Sequence, residues 1–156
     1  MRPLLTAVVL ILSAAVVLAE PLKPREGWEV FPTEKSYAEL VSDVKKAIAA
    51  NGLAVVTEAG PTDAAARRGV TIPGNRVIGA FNNEFAVDIL TLSTAAMIEA
   101  PMRLYVTENP NGTATLAYKT PSIVFTPYFE EGGLELVELA AELDRRFAAI
   151  AGDAIK

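Results

Sequence analysis

The sequence predicts a two-layer α+β domain, with helices packed on one face of a mainly antiparallel sheet. Three observations carry this. Alternating apolar residues flank Asn109-Pro110-Asn111-Gly112, the pattern of a β-hairpin. Apolar residues at helical spacing recur over 36–50, after Asn83, and over 134–150. Short strand-like runs at 28–31, 53–56 and 76–81 lie between the helical stretches.

The first residues read as a targeting segment. Met1-Arg2-Pro3 is a short basic start, and an uncharged apolar run follows, ending in Val17-Leu18-Ala19. This is the pattern of a secretory signal peptide over 1–19, cleaved after Ala19; the run is short for spanning a bilayer. The expectation is a periplasmic or secreted bacterial protein with no stable membrane anchor after cleavage. An extended leader over 20–26 and one α+β domain over 27–156 complete the organisation.

Composition excludes several chemistries. The chain has a net charge of −5, and losing Arg2 with the leader makes the mature domain more acidic still. Nucleic acid, whose phosphates demand a basic face, is not an expected partner. There is no cysteine and no histidine. That removes thiol nucleophiles, Ser-His pairs, histidine-ligated zinc or haem, and iron–sulfur clusters. No cofactor and no metal is expected.

In chain order, Trp28-Glu29-Val30-Phe31 alternates and reads as a strand stopped by Pro32. Ser36-Tyr37-Ala38-Glu39 is a capping-box signature, and Tyr37, Leu40, Val41, Val44 and Ile48 then form one helical stripe. Asn51-Gly52 closes that helix, since both residues accept a left-handed cap. Leu53-Ala54-Val55-Val56 reads as a short buried strand. Gly60-Pro61 breaks the chain before a short helix over 63–68, capped by Thr62 and stopped by Gly69. The strand at 76–81 has small residues, Gly79 and Ala80, where a neighbour approaches closely. Asn82 or Asn83 caps the next helix, with Phe85, Ile89, Leu92 and Ala96 on its buried face and a kink at Ser93-Thr94. Pro101 ends that segment and leads into the hairpin. Residues 121–127 read as an irregular apolar segment. The last helix, over 134–150, buries Leu136, Ala140, Leu143, Phe147 and Ile150, with Glu142 one turn from Arg146.

The hairpin fixes its own register. Pro110 presets φ, Asn111 tolerates the second central position, and Gly112 takes positive φ without penalty. Asn109 then faces Thr113, Val106 faces Leu116, and Leu104 faces Tyr118. Met102, Leu104, Val106, Leu116 and Tyr118 share a core face, whereas Arg103, Tyr105, Thr107, Thr115, Ala117 and Lys119 share an outer face.

This order of elements resembles the bacterial and archaeal family known as domain of unknown function 302. The hairpin APMRLYVTENPNGTATLAYKTP carries the likeness best: a proline entering the first strand, an acidic residue before the asparagine-glycine turn, and a tyrosine late in the second strand. The likeness covers 31–150. It implies an α+β fold similar to the two-layer arrangement of TATA-binding proteins, and no established activity. Many members carry an Asp-His pair in the loop after the second strand. Here that loop reads Glu58-Ala59-Gly60-Pro61-Thr62-Asp63, so no role of that histidine transfers. Phe81-Asn82-Asn83-Glu84 also lacks the proline that many members place soon after the asparagine.

Few constellations could carry chemistry. Ser42-Asp43-Val44-Lys45 has serine–lysine spacing, but it sits mid-helix without partner motifs. Arg103 and Lys119 fall opposite one another beside Tyr105, a pairing of like charges that suits a small anion or a partner's carboxylate. The plainer reading is two solvated side chains paired with nearby acids. Asn82 and Asn83 lie where a strand meets a helix N-terminus, a corner that binds polar ligands or simply caps the helix. Glu84 and Asp88, one turn apart, are a thin basis for a hard cation. The aromatic residues around 118–129 line either a small pocket or the core.

The candidate ligand- or partner-binding residues are therefore Arg103, Tyr105, Lys119, Asn82 and Asn83. The leading expectation is a non-enzymatic module binding a small ligand or a periplasmic protein. The alternatives are a structural protein that self-associates as a homo-oligomer, and an enzyme restricted to carboxylate, lysine or tyrosine chemistry.

Overall fold

The structure, a computed structural model, describes residues 20–156; the signal-peptide expectation for 1–19 lies outside the described residues. Residues 20–25 are without regular structure and lead to a turn at Glu26-Gly27. Then follow β1 (Trp28–Ser36), α1 (Tyr37–Ala50), β2 (Ala54–Ala59), α2 (Thr62–Arg67), β3 (Asn75–Phe81) and α3 (Asn83–Leu92). After a 3-10 turn at Ala96–Glu99 come β4 (Met102–Glu108), β5 (Thr113–Lys119), α4 (Pro121–Phe125), a second 3-10 turn and α5 (Phe129–Ala154).

The five strands form one sheet in the order β1-β5-β4-β3-β2, every neighbouring pair antiparallel. The first two strands in sequence are therefore its opposite edges. α1 connects them and contacts all five strands as it crosses. It can do so because Leu40, Val44 and Ile48 line up on one side and are wholly buried. The predicted capping box is present: the Ser36 hydroxyl accepts from the Glu39 amide, and the Ser36 amide donates to the Glu39 carboxylate. α5 packs against α1, α3 and α4. Its Phe147 meets Tyr118 edge-on at 5.4 Å, and Tyr118 stacks on Phe31 at 6.1 Å. Ile78, Leu104, Val106 and Leu116 supply the sheet's share of the core, all fully buried. Each such side chain stabilises by about 1.5–3 kcal/mol relative to exposure.

The hairpin register is the predicted one. Leu104 pairs with Tyr118 and Val106 with Leu116, the Asn109 amide donates to the Thr113 carbonyl at 2.7 Å, and Gly112 has φ +83°. Gly79 also behaves as expected, since a Cβ there would meet Thr57 Oγ1 and, at 2.9 Å, Pro101 Cγ.

Several expectations need correction. β1 does not stop at Pro32 but runs to Ser36. It is an edge strand, where a missing N–H is tolerated, and the pairing with β5 shifts register beyond Pro32 while the Thr33 hydroxyl donates to the Ala114 carbonyl. The run 53–56 is not a buried strand: β2 spans 54–59 on the other edge, mostly exposed, with only Leu53 before it buried. Thr62 does not cap α2; its hydroxyl instead accepts from the Asn75 amide. The helix after Asn82 does not reach Ala96 but ends at Ser93, whose hydroxyl donates to Glu131 and accepts from the Ala96 amide. Residues 121–125 are helical rather than irregular, with Pro121 at the first position, where its lack of an N–H does no harm. α5 is broken at Gly133, with φ +63° and ψ −158°, so its long part starts near Leu134 as predicted, a short helical turn over 129–132 precedes it, and it ends later than Ile150.

Candidate functional site

The helices leave one sheet face open. Cross-strand register places Val30, Ala117, Tyr105, Val77 and Ala59 in one row across all five strands on that face. The next row holds Trp28 paired with Lys119, and Arg103 paired with Gly79. Along these rows lies a hollow of about 740 Å³, within the range of small-molecule sites. Trp28 bounds it at one edge of the sheet, and Ala59, Gly60 and Pro61 bound it at the other. Val77, Tyr105 and Asn75 line it between them. Met102, Tyr118 and Val124 also contribute, although the side chains of the first two belong to the core.

Strand alternation delivers these groups. Arg103 and Tyr105 project from β4 on the side opposite Leu104 and Val106. Lys119 does the same from the end of β5, and Trp28 from the start of β1. Gly60 sits where a Cβ would strike the Asn75 carbonyl oxygen, so a bare backbone lets this loop close onto β3.

Among the described residues, Arg103 and Lys119 are the only charged ones lining the hollow. The Arg103 guanidinium stands 3.7 Å from Glu99, and the Tyr128 hydroxyl donates to the same carboxylate at 2.9 Å. The Lys119 ammonium has no ion-pair partner among the described residues and lies 5.8 Å from the centre of the Trp28 ring. The Arg25 guanidinium is 5.1 Å from that ring. Burial raises the pKa of Tyr105, so its phenol stays neutral and offers a hydrogen bond rather than a base.

The structure thus brings together three of the five sequence-predicted residues: Arg103, Tyr105 and Lys119. Asn82 and Asn83 lie outside the hollow. Asn82 is occupied structurally: its side-chain oxygen accepts from the Glu84 and Phe85 amides, and its side-chain nitrogen donates to the Gly52 carbonyl. Asn83 is exposed at the start of α3. Lys45, of the serine–lysine pattern, is paired with Glu58 at 2.6 Å, while Ser42 is exposed. Glu84 and Asp88 are exposed, and no cluster of three metal-ligating side chains occurs among the described residues.

Sequence reasoning missed Trp28, Val77 and the Ala59-Gly60-Pro61 wall. The alternation in 28–31 already set Trp28 and Val30 apart from Phe31; what was lacking was the knowledge that β1 lies beside β5. The wall falls in the loop where the resemblance leads one to expect an Asp-His pair and this chain has none.

A family model described as "Domain of unknown function DUF302" matches residues 29–151. The fold is similar to the crystal structure of an uncharacterized conserved protein DUF302 from Bacillus stearothermophilus, with a TM-score of 0.73 and 17% identity. That match covers 85% of this chain and 100% of the other. No curated protein matches the sequence.

Proposed function

This chain belongs to the DUF302 family of domains of unknown function, and on that premise we propose that it is a non-enzymatic binding module that holds its ligand against the open face of the sheet. The observation that carries this is the hollow of about 740 Å³ on the face the helices leave uncovered, lined mainly by Trp28, Val77, Tyr105 and other apolar surface. The residue inventory supports binding over catalysis. The sequence has neither histidine nor cysteine, and a tyrosine whose pKa burial has raised is a poor base near neutral pH. The signal-like segment over 1–19 supports work outside the cytoplasm, in the periplasm or beyond.

Native mass spectrometry of protein purified from its own host tests both parts. The expected result is a chain beginning at Glu20 that carries a co-purified small mass, lost when Val77→Glu places a charge in the hollow. An intact Met1 would refute export. A bare chain, together with a Trp28 emission that no added compound changes saturably, would refute the binding reading.

Self-association is a second reading. It is favoured by large apolar side chains exposed on the helical layer, with Val87 62%, Leu134 68% and Ile98 78% accessible. The sheet edges argue against assembly by strand pairing: β1 carries Pro32 and a register shift, and the pairing of β2 shifts between Val55 and Thr57. A single monomer mass at high concentration removes this reading.

A further inference from the structure

The hollow combines an apolar surface with charge of one sign. In a chain of net charge −5, the only charged groups lining it among the described residues are two cations, Arg103 and Lys119. They are neighbours across the β4–β5 pairing, one step beyond Leu104 and Tyr118, and directly opposed residues have Cβ atoms about 4.5–5.5 Å apart. Like charges so placed repel unless an anion lies between them. Glu99 offsets Arg103 only in part, at 3.7 Å and while also accepting from Tyr128. Lys119 has no carboxylate partner among the described residues. It is held over the Trp28 ring, which fixes the ammonium at the rim without neutralising it.

We propose that the hollow takes a small amphiphilic anion: a carboxylate or similar monoanionic head between Lys119 and Arg103, and an aliphatic or aromatic body along Trp28, Tyr105 and Val77. This rests on the binding reading given above and adds the chemical class of the ligand. The volume suits such a molecule, and the lining has the usual division of a ligand site into apolar walls and a few polar groups that set orientation. The neutral Tyr105 hydroxyl supplies a further hydrogen bond near the head.

Trp28 is the sole tryptophan, so its emission reports directly on the hollow. The test titrates the protein with octanoate, 1-octanol and octylammonium, three probes that share a chain and differ in charge. Trp28 fluorescence is the readout, with equilibrium dialysis beside it. The expected result is saturable octanoate binding, with octanol weaker by about tenfold or more, the scale of one charge-assisted contact. Lys119→Gln should weaken octanoate by a similar factor and leave octanol unchanged. Lys119→Glu combined with Arg103→Gln should turn the preference toward octylammonium. Both positions are exposed, so the variants are expected to fold. Equal binding of octanol and octanoate, insensitive to Lys119→Gln, would overturn the anion inference while leaving a binding hollow. Binding of none of the three probes by either readout would overturn both.

Discussion

Lys119 sits directly across the β1–β5 pairing from Trp28 and holds its ammonium 5.8 Å from the centre of that ring. The contact joins the last residue of one strand to the first of another, far apart in sequence. Lys119→Met keeps the stem and removes the charge, and should lower stability by no more than about 0.5–1 kcal/mol, the scale of an exposed cation–π pair. Urea unfolding followed by Trp28 emission measures it. A loss several times larger would mean that Lys119 supports the fold rather than lining a site.

Gly79 has no room for a side chain. A Cβ there would press on the Thr57 hydroxyl and on the Pro101 ring, the latter at 2.9 Å. Gly79→Ala is expected to cost about 1–3 kcal/mol, as overpacking does. The double variant with Thr57→Ala should recover only part of the loss, because the proline ring cannot turn away. Urea midpoints of the three variants check this, and a neutral Gly79→Ala contradicts it.

Phe147 is fully buried and meets Tyr118 edge-on. Phe147→Ala should destabilise by about 3–5 kcal/mol. Val87→Ala, on the exposed side of α3, should stay within about 0.5 kcal/mol. Comparable losses from the two would show that the helical layer's outer surface is covered in solution.

Stability should fall at both pH extremes for different reasons. Glu39 is held below its ordinary value by the Ser36 hydroxyl and amide, Asp43 by Lys35 and Lys46, Glu142 by Arg145 and Arg146, and Asp153 by Lys156 and Asn51. Their folded pKa values lie below the unfolded ones. Their contribution is therefore complete above the ordinary carboxylate range and is lost as pH falls through the depressed values. Burial pushes Tyr118 up to about 12, and Tyr105 and Tyr128 are raised as well, the latter mainly by its hydrogen bond to Glu99. A raised pKa has the opposite sign. That contribution is complete below the unfolded tyrosine value of about 10 and disappears as pH climbs through the folded value. Melting temperatures across pH, with ultraviolet titration of tyrosinate, test both limbs; a Tm that holds steady above the unfolded tyrosine value contradicts the second.

How much of this was legible in the sequence depends on the distance over which each feature is decided. The hairpin register was readable because Pro110, Asn111 and Gly112 settle it locally. The α1 cap and the α5 stripe were readable for the same reason. Strand order was not, because β1 pairs with β5 and nothing near Trp28 announces a partner at Lys119. The same ignorance made Pro32 look like a terminator rather than an edge residue. Pro121 and Pro127 hid α4 and the turn after it, since both prolines occupy first-turn positions that tolerate them, whereas Gly133 does interrupt the helix and marks the start of its long part. At the site, alternation alone put Arg103, Tyr105 and Lys119 on one face. Asn82 caps α3, and a good cap and a good ligand-binding corner look alike in sequence.

The passage of α1 from one edge of the sheet to the other has a kinetic consequence. Strands β2 to β5 form a meander of sequence neighbours, while β1 must wait for β5 before it can pair. Such closures slow folding, since chain entropy is lost before the contact forms. Trp28 lies on β1, so its emission should change with the final docking step, after far-ultraviolet circular dichroism has reported the helices. A chain still on its way to the native state would thus lack one wall of the hollow, and only molecules with both sheet edges in place would compete for a ligand.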